Sequence, residues 1–388
     1  MNNSYPLLNL LTTYFCVFTT FISLNAEPKK HQTTPLDPLE VKLLMKKVAD
    51  WQIFHFQDRF SKNQMHHPLH WANGALYTGM TRWAKISGDD HYYKWLRGIG
   101  DSQNWKLGER TFHADDHVVG QMYIQLYRKY KSDGEKSARK MLSPTIKELD
   151  YILYHPSKSK LNWNTPYHQD RWNWCDALFM SPPLWAMLYK ETGKIQYLNF
   201  MIKEFKESTD FLFDPKEHLY FRDERFFKKK VHGSKVFWSR GNGWVFAGLV
   251  NILQELGLQS DESEYFIDIY KKMAKKLISI QTEKGHWAMS LLKADVFQTP
   301  ETSGSSFFTY GLAWGLNNRI LDEKEYLKPV TRAWESLSSH VSDEGYLGYV
   351  QPIGGSPGNA WKDKTEVYGT GAFLSAGSEI YQLFSRLK

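Results

Sequence analysis

Cysteine is nearly absent: the 388 residues hold only Cys16 and Cys175. Cleavage after Ala26 would leave Cys175 alone, which excludes an internal disulfide framework. No histidine-directed cysteine motif accompanies Cys175, so it reads as a buried packing thiol. Charge is absent from residues 1–26. The apolar run Leu7 to Leu24 there ends in Leu24-Asn25-Ala26, which resembles a secretory signal and implies export, to the periplasm, with an uncleaved anchor as the alternative. No lipobox surrounds Cys16, and no other apolar run is long enough to span a bilayer. Long basic blocks and zinc-finger spacings are also missing. With Lys228-Lys229-Lys230 as the one basic run of three, a net charge of +7 does not make nucleic acid a good partner. His113 and His117 stand four apart, but the H-E-x-x-H pattern is absent, so neither metal nor cofactor is expected.

Aromatics, by contrast, are abundant: 15 Trp, 22 Tyr and 23 Phe suit a carbohydrate-active protein. The basic balance would favour an anionic oligosaccharide as partner.

Residues 27–37 are polar and proline-containing and read as a leader. From 38 to 388 no composition break marks a second domain. Helical periodicity dominates, as in Val41, Leu44, Val48 and Trp51, which share one face. Twelve helical segments are expected, starting near residues 38, 70, 89, 114, 134, 174, 195, 242, 261, 304, 323 and 368. Short extended pieces are expected near 219–238 and 345–351. The connections Gly88-Asp89-Asp90-His91-Tyr92, Thr192-Gly193-Lys194-Ile195-Gln196-Tyr197, Ser260-Asp261-Glu262-Ser263-Glu264-Tyr265 and Leu321-Asp322-Glu323-Lys324-Glu325-Tyr326 share a turn followed by an aromatic anchor. Such self-similarity suggests stacked helical hairpins. Six can close into an all-α toroid, with stretches 157–173, 214–239, 283–303 and 343–366 shaping its mouth.

Arg171-Trp172-Asn173-Trp174-Cys175-Asp176-Ala177-Leu178-Phe179-Met180 wedges one carboxylate among aromatics. An acid in apolar surroundings can hold a proton near neutral pH, as general-acid catalysis needs, and the indoles could floor a sugar site. A plain helix start with core aromatics fits equally well. In His113-Ala114-Asp115-Asp116-His117, two carboxylates open a helix, where capping alone could explain either. Trp238-Ser239-Arg240-Gly241-Asn242-Gly243-Trp244 sets a guanidinium at a glycine-rich helix start, a good carboxylate receptor or an ordinary junction. Glu301 to Gly311 and Tyr368 to Phe373 carry small residues suited to close packing.

In this order and spacing, ADDHVVGQ, RWNWCDALFMSPP, SRGNGW, ETSGSSFFTYGLAWG and YGTGAF make residues 38–386 resemble glycoside hydrolase family 105, unsaturated rhamnogalacturonyl hydrolases related to the unsaturated glucuronyl hydrolases of family 88. The resemblance implies an (α/α)6 six-hairpin barrel. It places Asp176 on the catalytic aspartate and Asp115 on the second pocket aspartate, with Asp116 as fallback. Arg240 and Trp244 fall on uronate-holding residues, and Arg222 stands near a position where members carry His. Trp172 and Trp174 would line the sugar site.

The activity implied is removal of a terminal Δ4,5-unsaturated uronate from lyase-generated oligosaccharides. Asp176 would protonate C4 of the enol ether while water adds at C5, and the hemiketal would rearrange to expel the aglycone. Rhamnose is the expected neighbour, from rhamnogalacturonan or a sulfated rhamnan such as ulvan. An inverting hydrolase of saturated sugars and a non-catalytic sugar-binding toroid remain rivals.

Overall fold

In the computed structural model, residues 1–2, 36–61, 66–165 and 167–388 are described. The expected signal segment and most of the 27–37 leader lie outside them. Leu36–Lys388 forms one compact unit, and none of its helices is long and apolar enough to cross a membrane.

Helices alternate between an outer and an inner layer. The outer helices are α1 (Pro38–Ser61), α3 (Asp90–Ser102), α5 (Ser143–Tyr154), α8 (Ile195–Leu212), α10 (Glu264–Ser279) and α12 (Glu323–Ser338). The inner positions are filled by α2 (Trp71–Ser87), α4 (Val119–Ser132), α6 (Ala177–Met180) with α7 (Pro182–Thr192), α9 (Ser239–Leu256), α11 (Thr302–Asn317) and α13 (Val367–Leu387). The ring closes: α2 packs on α4, α4 on α7, α7 on α9, α9 on α11, α11 on α13, and α13 back on α2. This is the (α/α)6 barrel. The burial pattern gives the reason for the layering. Inner α9 and α11 are buried almost all round, whereas α3 and α12 bury one stripe, as amphipathic surface helices do.

The expected starts agree with most helices and differ in three places. The segment near 114 opens as a three-residue 3-10 turn, and α4 begins at Val119. The segment near 134 is also 3-10, and α5 starts only at Ser143-Pro144, where proline suits the first turn. The segment near 174 breaks at Ser181, because Pro182 and Pro183 restart the chain as α7. In α1 the buried face runs through Val41, Met45, Val48, Ala49 and Gln52, leaving Leu44 and Trp51 at its border.

The shared connections work as hairpin hinges. Gly88 and Gly193 adopt positive φ of 73° and 70°, and Asp89 caps α3 by accepting from the His91 amide at 2.8 Å. The aromatic anchor then bonds an outer-helix acid: Tyr92 donates to Asp50 and Tyr197 to Asp150, each at 2.5 Å. Inner helices touch through small residues. A Cβ on Gly79 would fall 2.1 Å from the Gly371 carbonyl oxygen, and one on Gly304 2.4 Å from Ser239 Oγ. Two hairpins, β1 (Phe213–Asp214) with β2 (Leu219–Tyr220) and β3 (Lys230–Val231) with β4 (Ser234–Lys235), decorate the 213–238 loop. The 345–351 stretch forms only an isolated bridge, Val341 with Leu347.

Candidate active site

The chemistry gathers at the N-terminal ends of the inner helices. Cys175 donates its amide to the Arg222 carbonyl at 2.9 Å, which ties the 172–176 segment to the loop that follows β2. Asp176 sits at the N-cap position of α6 but makes no side-chain capping bond, which leaves its carboxylate for the pocket. The buried Cys175 thiol donates weakly to Asp176 Oδ2 at 3.5 Å, and Arg222 Nε lies 3.6 Å from the same oxygen. Burial pushes the Asp176 carboxyl above its ordinary range, while Arg222 and then Arg240 pull it back in part.

Asp115 and Asp116 part company in the 3-10 turn. Asp116 is clamped: it accepts from the Arg110 amide at 2.7 Å and pairs with the Arg110 guanidinium at 2.5 Å. Asp115 accepts no hydrogen bond among the described residues, and His113 Nδ1 lies 3.9 Å from its Oδ2. Burial first, and the charge of Asp176 second, raise Asp115 to about 7, against Arg110 and Arg222. His113 is held down to about 4 by burial and by Arg110, so it is neutral, and its ring rests 4.9 Å from that of Trp174. The charge of Asp176 thus helps to keep a proton on Asp115.

His117 does not complete a metal pair with His113. Its Nδ1 meets Ser181 Oγ at 2.7 Å and its Nε2 meets the Thr111 carbonyl at 2.8 Å. Among the described residues no cluster of three or more His, Cys, Asp or Glu side chains suits a metal.

Arg240 lies inside the wall. It is fully buried, donates to the carbonyls of Gln351 at 2.6 Å and Pro352 at 3.0 Å, and is sandwiched between Trp238 and Tyr368 at 4.5 and 4.8 Å. It therefore anchors the 351–354 loop, which Gln351 further ties down by accepting from Trp238 Nε1 at 2.8 Å. Trp244 is 1% exposed, packed among Trp71, Phe179, Phe307 and Tyr368. Trp172 packs on Phe200 and Trp174 on His113, and both indoles are buried.

Arg222 is the expected substrate contact whose guanidinium meets the acid directly. Its Nη1 donates to Asp223 at 2.7 Å, its Nε makes no hydrogen bond, and Gly355 lies against it. Three neighbours escaped the sequence reading. Trp71, partly exposed and stacked on Tyr368 at 5.2 Å, stands at the mouth of α2. Arg225 and Trp163 form a second basic–aromatic contact, 3.7 Å apart. Trp71 lies one residue after the expected helix start at 70, which was its available signal; the Arg225–Trp163 contact joins separate loops and had none.

The opposite end of the barrel holds a cavity of about 840 Å³ among the C-terminal halves of the inner helices. Its arginines are engaged: Arg82 donates to Asn251 and Gln254, and Arg128 to Glu191 and Glu255.

Known proteins are similar to this chain over most of its length. A curated relative from Alteromonas sp. (strain LOR), named unsaturated 3S-rhamnoglycuronyl hydrolase, is 35% identical over 90% of this chain and 88% of its own. A solved structure named as a polysaccharide lyase is 29% identical with a TM-score of 0.78, covering 90% of this chain and 99% of its own. A glycosyl hydrolase family 88 structure from Bacteroides vulgatus is 27% identical with a TM-score of 0.76, covering 90% and 100%. The Glycosyl Hydrolase Family 88 model matches residues 44–384, and the chain, a glycoside hydrolase, belongs to that family.

Proposed function

We propose that this enzyme removes a terminal Δ4,5-unsaturated uronate from lyase-generated oligosaccharides, with rhamnose as the next sugar, as in an ulvan- or rhamnogalacturonan-type product. One observation carries the reading: a buried aspartate, Asp176, with a cation 3.6 Å from its oxygen and a second raised carboxyl, Asp115, beside it. An enol-ether hydrolase needs an acid, a carboxylate receptor and a water-handling group, and these three fit.

In the resting site Asp115, raised to about 7, carries a proton near neutral pH, while the Arg222 cation opposes the effect of burial on Asp176. The uronate carboxylate is attached at C5, next to the carbon that must be protonated. Docked on Arg222, it neutralises that cation, and the proton shifts to Asp176. Asp176 then delivers it to C4, and the ring oxygen shares the positive charge that develops at C5. Water adds there and its proton returns to the carboxylate pair. The C5 hemiketal opens, and the unmasked hemiacetal at C1 releases the aglycone hydroxyl. Arg240 serves by holding the 351–354 loop against the pocket. The uncharged, apolar residues 1–26 support export to the periplasm.

The test is loss of ultraviolet absorbance from the conjugated double bond when purified enzyme meets lyase-generated oligosaccharides. Loss that disappears in Asp176→Asn supports the reading. Unchanged absorbance across pectic and ulvan products would overturn it, and a rise on intact polymer would mark a lyase.

A further inference from the structure

The cavity at the far end of the barrel takes no part in the proposed reaction. It measures about 840 Å³ and is lined by residues of α2, α4, α9 and α13. That volume lies within the range of small-molecule sites, about 300–1,000 Å³. Its chemistry follows from which hydrogen-bonding atoms the fold has already committed.

Three buried hydroxyls of the lining give their protons to their own helices. Thr78 donates to the Ala75 carbonyl at 2.8 Å, Thr81 to the Thr78 carbonyl at 2.8 Å and Ser378 to the Ser375 carbonyl at 2.7 Å. Each oxygen is left as an acceptor. Gln121 donates through Nε2 to the carbonyls of Phe179 at 2.8 Å and Met180 at 3.3 Å, so its Oε1 is also left as an acceptor. Glu379 adds a carboxyl, whose Oε2 accepts from Asn317 at 2.7 Å. Donors are fewer. Asn251 accepts through Oδ1 from Arg82 and from Tyr310, each at 2.8 Å, which leaves Nδ2 as a donor. The Gln125 amide lines the same cavity and has no hydrogen bond among the described residues.

Charge around the cavity is largely balanced. Arg128 is paired with Glu191 and Glu255, and Lys129 with Asp133. Burial raises the Glu379 carboxyl, and Asn317, Arg82 and Lys85 draw it back in part. These cations disfavour a metal ion. The surplus of acceptors disfavours sulfate, phosphate or carboxylate, which bring no proton to donate. A neutral ligand rich in hydroxyl groups satisfies both conditions. Ile86 and Met187 give the lining an apolar strip, suited to the C–H face of a sugar ring.

We infer that this cavity is a second saccharide site, distinct from the Asp176 mouth, which binds a neutral mono- or disaccharide through its hydroxyl groups. Gln121 stands between the two sites: it lines the cavity, and its amide holds carbonyls of α6, the turn that follows Asp176. The site goes beyond the proposed hydrolysis and does not depend on it.

Methyl α-L-rhamnoside and cellobiose, neutral probes of one and two rings, are titrated into the full chain by calorimetry, with sodium sulfate as the anionic control. A neutral probe should bind saturably, and sulfate should not compete with it. Gln125→Leu removes an amide that has no protein partner and should weaken binding about fivefold, as loss of one neutral hydrogen bond does. Asn251→Asp keeps the acceptor used by Arg82 and Tyr310 but loses Nδ2; it should weaken binding to a similar degree, and it decides the matter if Gln125→Leu fails to fold. A crystal soaked with the tighter probe should hold it between Gln121 and Asn251. Absence of saturable binding, sugar bound only beside Asp176, unchanged affinity in both variants, or sulfate binding tighter than either sugar would each overturn the inference. Turnover of unsaturated oligosaccharides is followed in parallel. Turnover without binding in the cavity would discard the second site alone; binding in the cavity without turnover would retain it and discard the hydrolase reading.

Discussion

Arg222 Nε stands 3.6 Å from Asp176 Oδ2 without a conventional hydrogen bond of its own. A buried guanidinium so placed stabilises the ionised acid while the site is empty and is ready to receive an anion. Under the proposed reaction the same contact would bear on both uronate binding and the protonation of Asp176.

Replacing Arg222 should separate these effects. Arg222→Gln removes a charge-assisted contact to the uronate, and KM should rise about tenfold or more. Loss of the cation also raises the Asp176 pKa, so the basic limb of kcat/KM should move to higher pH. A KM change with an unmoved limb would disconnect Arg222 from the acid.

Asp115→Asn should lower kcat by about 10²–10⁴-fold, the usual contribution of a positioned acid–base group. Stability should change in the opposite direction. The folded-state pKa of Asp115, about 7, exceeds its ordinary value, so the native state binds the extra proton between those limits. Wild-type stability should consequently rise as pH falls from about 7 towards 4 and be lowest above 7. At pH 8 the variant should melt higher than wild type. Equal melting temperatures at pH 8 would show that Asp115 is not strained in its charged form.

Asp116→Asn should behave differently despite adjacency. Its carboxylate is bound to the Arg110 amide and guanidinium, and weakening these contacts should destabilise the fold by about 1–3 kcal/mol. Urea unfolding measures this. Once folded, the variant should keep most of its kcat; a kcat loss matching that of Asp115→Asn would reverse the two assignments.

Arg240→Met tests the wall. It removes the Arg240 donor from the Pro352 carbonyl and leaves the Gln351 carbonyl with the Tyr368 hydroxyl alone, at a cost of about 1–3 kcal/mol for a buried group left unpaired. Proteolysis within 351–358 should accelerate. Unaltered proteolysis and stability with lost substrate binding would make Arg240 a direct ligand instead.

Much of this was legible in the linear chain. Apolar spacing, glycine turns such as Gly88 and Gly193, and the anchors Tyr92 and Tyr197 act over a few residues, so they announce helices, their hinges and the six-hairpin closure. The burial of Asp176 was legible because its apolar neighbours are adjacent in sequence. Which aspartate of 115–116 faces the pocket was not, since a 3-10 turn and an arginine six residues away decide it. The roles of Arg240 and Arg222 were decided by tertiary structure alone: a guanidinium shows its chemistry only through what surrounds it, and carbonyls 111 to 114 positions distant enclose the first. Residue type determined that cations and acids would meet at this mouth. Burial and long-range hydrogen bonding determined which of them are locked into the wall and which stay unpaired for a ligand, because desolvation is a property of the folded surroundings and not of the neighbours in sequence.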